Sequence, residues 1–333
     1  MKRATMLCVM MCTLIYGCGL GRPMVQKDMP LPKPPPRPPA VRNEPLSAPL
    51  RELARKEIHS DFATSDPIIR ANAIEAAQDT FSPEQAHDIV LSGLSDKESI
   101  VRFAAAMAVG KLQLRDLHDQ VWSMAQEQDP KVRLGARYAL HRLGDMRLSH
   151  DLEKTAADPN PRVREDTAFV LGLLGEKSAI KILAHMSNDP DGGVRIAVAE
   201  AMWRLGDERG LEVLEAGSVS QFADDRMLSI MALVGPKDRR VEELVRARLT
   251  DDYAEIPLVA ARAMGELGFD EGYTVATNSL QSPDPRQRYL AALALGAIGR
   301  SDAQTLLAPL LNDNETRVRL AAATALLELK EHA

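Results

Sequence analysis

Three His-Asp pairs, His87-Asp88, His118-Asp119 and His150-Asp151, are the residue types that hold a metal ion or move a proton. His87 and His118 are 31 residues apart, a spacing that stacks them if the chain repeats with that period. The third pair is displaced by one residue, which turns it about 100° away on a helix. An acid at a helix start has a simpler role, because it favours the N-terminal end of the helix dipole. No metal site, no catalytic residue and no cofactor is therefore assigned. All three cysteines, Cys8, Cys12 and Cys18, lie at the start of the chain, so neither a disulfide nor a cysteine ligand set serves the body. No Ser/His/Asp motif and no phosphate-cradling glycine loop occurs.

The elements that carry these residues are helical by composition. Of 333 residues 45% are hydrophobic but only 4% aromatic, so the apolar mass is mainly Ala, Leu, Val and Met, which disfavours an all-β fold. The net charge of −6 is uneven: residues 1–18 carry +2, residues 19–49 carry +3, and the remainder carries −11. An acidic body argues against a nucleic-acid partner.

Residues 1–18 read as a basic start at Lys2 and Arg3, an apolar stretch from Ala4 to Tyr16, then Gly17-Cys18. The stretch is too short to cross a bilayer comfortably and has the form of a secretory signal. Leu14-Ile15-Tyr16-Gly17-Cys18 resembles the lipobox of bacterial lipoproteins, although Tyr16 is bulkier than the pattern prefers. The resemblance implies cleavage before Cys18 and lipidation of its thiol, so that residues 1–17 are a signal peptide and the chain contacts the membrane through its N-terminal lipid. Gly19 after the cysteine, rather than Asp, implies the outer membrane of a bacterial envelope, facing the periplasm. Residues 18–49 then form a linker with ten prolines between Gly19 and Pro49, which favours extended polyproline II and a reach of up to about 90 Å.

From residue 50 to 333 the chain repeats. Val101-Arg102, Val132-Arg133, Val163-Arg164 and Val194-Arg195 follow one another at intervals of 31, and the same step reaches Arg226, Pro257, Arg288 and Arg319. A ninth unit at Arg70 is one residue out of phase. Counting from each arginine, the positions one before and three, six, seven and ten after are apolar, as in Val318, Ala322, Ala325, Leu326 and Leu329. They share one face of a helix, here called helix B. Gly144, Gly175, Gly206, Gly268 and Gly299 follow at eleven, where a helix takes a left-handed cap. A shorter helix A comes next and ends at an acid six before the following arginine: Asp96, Asp158, Asp189, Asp251 or Asp313.

The pattern Asp158-Pro159, Val163-Arg164, Ala168, Leu171-Gly172, Leu174-Gly175 resembles the short HEAT-like repeats associated with phycobilisome lyases. The resemblance covers residues 50–333 and implies an all-α superhelix, or solenoid, of about nine helical hairpins. It also implies that the recurring charges form a structural ladder, Asp96/Arg102, Asp158/Arg164, Asp189/Arg195 and Asp313/Arg319. Deoxyhypusine hydroxylase, an iron enzyme of this repeat type, uses His-Glu pairs, which this sequence lacks. Two units depart from the pattern. Val234-Gly235-Pro236 should end its B helix about one turn early. Pro257 replaces a register arginine and breaks the ladder.

In stacked helix pairs the B helices line the concave side. The wheel places positions one, five and eight after the arginine away from the core stripe, and there the chain carries Phe103, Leu134, Ile196, Met227 and Tyr289, then Tyr138, Phe169, Met231 and Leu293, then Trp203. Glu200, Arg262, His141 and Arg204 interrupt this stripe. Exposed, it is a groove for a protein or peptide partner. Packed inward, with close approach at Gly110, Gly172, Gly265 and Gly296, it is core. The expectation is a membrane-anchored, monomeric scaffold that binds its partner through the groove and does no chemistry. The rival class is an enzyme or enzyme subunit, hydroxylase-like or bilin-lyase-like.

Overall fold

The structure, a computed structural model, describes residues 45–148 and 152–329. Among these residues it is helical throughout and contains no strand. The B helices are α2 (Pro67–Thr80), α4 (Ser99–Leu112), α6 (Pro130–Leu143), α8 (Pro161–Leu174), α10 (Gly192–Arg204), α12 (Ala223–Leu233), α14 (Ile256–Glu266), α16 (Pro285–Ile298) and α18 (Thr316–Glu328). The A helices are α1 (Ala48–Phe62), α3 (Pro83–Leu94), α5 (His118–Met124), α7 (Leu152–Thr155), α9 (Ile180–Met186), α11 (Glu208–Ser218), α13 (Glu242–Arg246), α15 (Tyr273–Ser279) and α17 (Ala303–Leu307). Short A helices alternate with longer B helices except at α1, with 15 residues against 14 in α2, and at α11 and α12, which both have 11. Cys18, the linker and His150-Asp151 lie outside the described residues.

Local chemistry explains the boundaries. Asp129 and Asp284 accept from the second backbone N–H of α6 and α16, with Pro130 and Pro285 at the first helical position, where the missing N–H costs nothing. Gly144 and Gly299 close the same two helices at φ 96° and 71°, a conformation that strains any residue with a Cβ. The irregular unit behaves as its proline predicts: α12 stops at Leu233, whereas α6, α8 and α16 run three residues further in register.

The chain divides into two compact units. One spans residues 62–216, and the other joins residues 45–61 to residues 217–329.

The charge ladder is present, but its pairing differs from the expectation. Each register arginine uses Nη1 to hold backbone carbonyls of its own loop, as Arg164 does with Asp158 O at 2.8 Å and Pro159 O at 3.3 Å. At Arg164 the other edge grips the acid of the following repeat, 25 residues on: Nε and Nη2 donate to Asp189 at 2.6 and 2.7 Å. Arg70 holds Asp96 and Arg288 holds Asp313 in the same way, Arg226 reaches Asp251 through Nη2 alone, and Arg102 uses Nη2 on Glu127. The pairs Asp96/Arg102, Asp158/Arg164, Asp189/Arg195 and Asp313/Arg319 are therefore corrected. Within one repeat the arginine meets that aspartate's carbonyl, and the carboxylates of Asp96, Asp189 and Asp313 are held by Arg70, Arg164 and Arg288 of the repeat before.

At Arg319 the acid comes from α1: Glu57 accepts from Arg319 Nε at 2.6 Å. The repeat that carries Arg319 is thus tied to α1. Beside this contact Asp61 is 2% exposed, and burial, reinforced by Glu57 and opposed by Arg319, pushes its carboxyl up to about 7. The folded form then binds more protons than the unfolded one between the ordinary carboxylate range and about pH 7. Stability of this unit should fall as pH rises through that window. Asp61→Asn should flatten the slope and raise the urea midpoint at pH 8 while leaving pH 4 nearly unchanged. A steeper slope in the variant would contradict this account.

Candidate functional site

The stripe nominated as a groove is closed. Phe103, Leu134, Tyr138, Phe169, Ile196, Trp203, Met227, Met231, Tyr289 and Leu293 are all buried, none more than 8% exposed. The expectation of solvent exposure is corrected, and the reason lies in the neighbours. Within a unit a B helix packs against neighbouring B helices as well as the A row, as α4 does between α2 and α6 and on α3, so more than the core stripe is covered. A Cβ on Gly135 would meet Phe103 at 2.9 Å, and one on Gly110 would meet Tyr138 at 2.8 Å. Positions one and five therefore seat on glycines of adjacent helices. Every residue from 103 to 110 in α4 and from 196 to 203 in α10 is buried. The polar interruptions are partnered within their own helices: Arg204 donates to Glu200 at 2.6 Å and Arg262 Nε donates to Glu266 at 3.1 Å. His141 is half-buried, and burial lowers its pKa.

The first two His-Asp pairs act as inter-repeat ties. His87 Nε2 lies 2.7 Å from Asp116 and His118 Nε2 lies 3.2 Å from Asp145, each acid belonging to the next repeat. These carboxylates, with Asp88 and Asp119, raise both imidazole pKa values. The His118 ring stacks on Trp122 at 6.4 Å, and Arg147 covers the same indole at 4.0 Å. Among the described residues no group of three or more His, Cys, Asp or Glu is placed to hold a metal ion.

Open concavities lie instead beside α9. One, of about 780 Å³, runs between α7 and α9, with Ala156, Ile182 and Met186 in its wall and Glu153, Lys181 and His185 at its rim. Asp158-Pro159 and Asp189-Pro190 close its end, where the Arg164–Asp189 bond crosses. His185 Nδ1 is 2.7 Å from the Lys181 carbonyl, which only accepts, so Nδ1 carries the proton and Nε2 is left for other partners. The second, of about 460 Å³, lies between α9, α10 and α11, walled by Ala184, Val198, Met202 and Val213 and edged by Arg195 and Arg209. Both sizes suit a side chain or short peptide segment. Val213 is 49% exposed at the second mouth, which leaves apolar surface unpaid for by folding. Sequence periodicity did not disclose these crevices, because they depend on how elements of neighbouring repeats meet.

A family profile described as HEAT repeats matches residues 58–141, 150–234 and 241–327. No curated protein matches the chain. Among solved structures, the complex of CpcE and CpcF of phycocyanin lyase from Nostoc sp. is 21% identical, covering 71% of this chain and 97% of that one at a TM-score of 0.45. Human deoxyhypusine hydroxylase is 18% identical, covering 85% and 99% at 0.37. A karyopherin bound to the extreme C-terminus of a protein phosphatase is 14% identical, covering 81% and 37% at 0.36. These likenesses bear on the fold alone. The expectation that the chain does no chemistry is nevertheless corrected, since the similar solved folds include a lyase and a hydroxylase and the architecture does not mark a non-enzyme.

Proposed function

Because the chain belongs to the HEAT repeat family, we propose that it is an envelope-anchored repeat protein that holds a protein or peptide partner against the crevices flanking α9. The observation that carries this reading is the contrast between the two rows: the B helices are sealed, whereas the A row beside α9 opens two concavities with apolar walls and charged rims. Stacked repeats commonly present an extended surface to a ligand, and an apolar hollow with a few polar groups supplies both affinity and orientation. The anchor rests on the signal-like start and on Gly17-Cys18, with the proline-rich linker as spacer. Two or more acyl chains would give stable attachment, where one would not.

A photo-crosslinking residue at Ile182 or Val213 should give a discrete adduct in cells, and the same residue at the exposed Leu306 of α17 should not. Equal labelling from all three positions would sink the site. Cys18→Ser should abolish palmitate incorporation and release the chain from the membrane fraction. Labelling that survives the substitution would refute the anchor.

A further inference from the structure

We propose that the free edge of Arg195, with the crevice beside it, clamps a carboxylate on a partner segment whose preceding turn is apolar. This deepens the crevice reading above and rests on it. Arg195 is built like the other ladder arginines: Nη1 donates to Asp189 O at 2.7 Å and to Pro190 O at 3.1 Å, which fixes the guanidinium and turns its Nε/Nη2 edge outward. At Arg70, Arg164 and Arg288 that edge takes a carboxylate through two bonds of 2.6–2.9 Å. Twenty-five residues beyond Arg195, where those steps carry Asp, stands Ser220, whose hydroxyl is bonded to Asp225.

Two comparisons inside the chain sharpen the point. Position 282 also carries Ser in place of the acid, and there the arginine is missing too, replaced by Pro257. Arg133 likewise bonds only carbonyls among the described residues, but it is half-buried and its repeat does supply Asp158. Arg195 alone keeps the fork, lacks the acid in sequence, and is exposed. A guanidinium held in the geometry that grips carboxylate elsewhere has no conformational entropy left to lose, so an acidic partner gains a bidentate bond at low cost. The adjacent wall of Val198, Met202 and Val213 receives an apolar side chain, as leucines precede the acid at the intramolecular steps.

The chain supplies its own probe. Residues 303–316 carry Leu306, Leu307, Leu310 and Leu311 ahead of Asp313, the acid that Arg288 holds. A fluorescent peptide of that sequence should bind the full chain in an anisotropy titration. Asp313→Asn in the peptide should weaken binding about tenfold, as loss of one charge-assisted pair does. Arg195→Gln should cost as much, with no further loss when both changes are combined. Arg195→Lys, which keeps the charge and removes the fork, should not restore affinity. The peptide change requires no alteration of the protein, so misfolding cannot imitate it. If Val213→Arg abolishes binding while the Asp313 and Arg195 changes leave it intact, the clamp is overturned and the crevice reading stands. Absence of binding at millimolar peptide also overturns the clamp, while crosslinking at Ile182 and Val213 judges the crevices separately.

Discussion

Phe103→Ala should lower the stability of the unit spanning residues 62–216 by about 3–5 kcal/mol, the range for truncating a large buried aromatic. The side chain is fully buried, its ring edge sits where a Cβ on Gly135 would be, and the Lys131 ammonium lies 5.0 Å from the ring centroid. Gly135 has no side chain to move into the space, so the cavity would stay largely unfilled. Urea unfolding monitored by far-ultraviolet circular dichroism reads this loss directly. Leu91→Ala, at an exposed position of α3, should change stability by no more than about 0.5 kcal/mol. If Phe103→Ala were as mild as that, the residue would be a surface group and the closed B row would be wrong. The same logic changes what a triple replacement of Tyr138, Phe169 and Trp203 would report: it would unfold the repeats before it tested a groove.

Gly265→Ala is expected to destabilise the second unit by about 1–2 kcal/mol although helix propensity alone favours it. Alanine gains about 1 kcal/mol over glycine inside a helix. Against that, the new Cβ on α14 would lie 2.5 Å from the Ile298 nitrogen and 2.7 Å from the Ala297 carbonyl carbon of α16. Both are backbone atoms, so relief needs a shift of one helix against the other. Overpacking of this kind costs about 1–3 kcal/mol and occasionally more. Gly192→Ala is the matched control, since its Cβ would meet only Arg195 Nη2 at 3.6 Å. It should be neutral or slightly stabilising in a thermal melt, and a stabilising Gly265→Ala would show that α14 and α16 are not in close contact.

The fate of the B-helix stripe shows where reading residues one helix at a time stops. The wheel correctly separated a core face, yet it assumed that the opposite face met solvent. A signal for the alternative was present: α4, with the sequence SIVRFAAAMAVGKL, has no polar face between Arg102 and Lys111, and a helix that is apolar all round is buried all round. Tyr138 and Phe103 were visible in the chain, as were Gly110 and Gly135. Their meeting required two helices to be placed side by side. The crevices beside α9 left no comparable signal, because they depend on how elements of neighbouring repeats meet.

The 31-residue period, the pairing of short and long helices, the glycine caps and the early stop of α12 were determined by the sequence itself, because each depends on residues within a single repeat. Tertiary structure decided which acid each arginine holds. A carboxylate six residues before one arginine is also twenty-five after another, and only the stacking distance selects the second. It also decided that Glu57 meets Arg319 across 262 residues, since no local period relates α1 to that repeat. By the same route it left Arg195 with its fork unfilled, which makes a departure from the repeat the place to look for a partner.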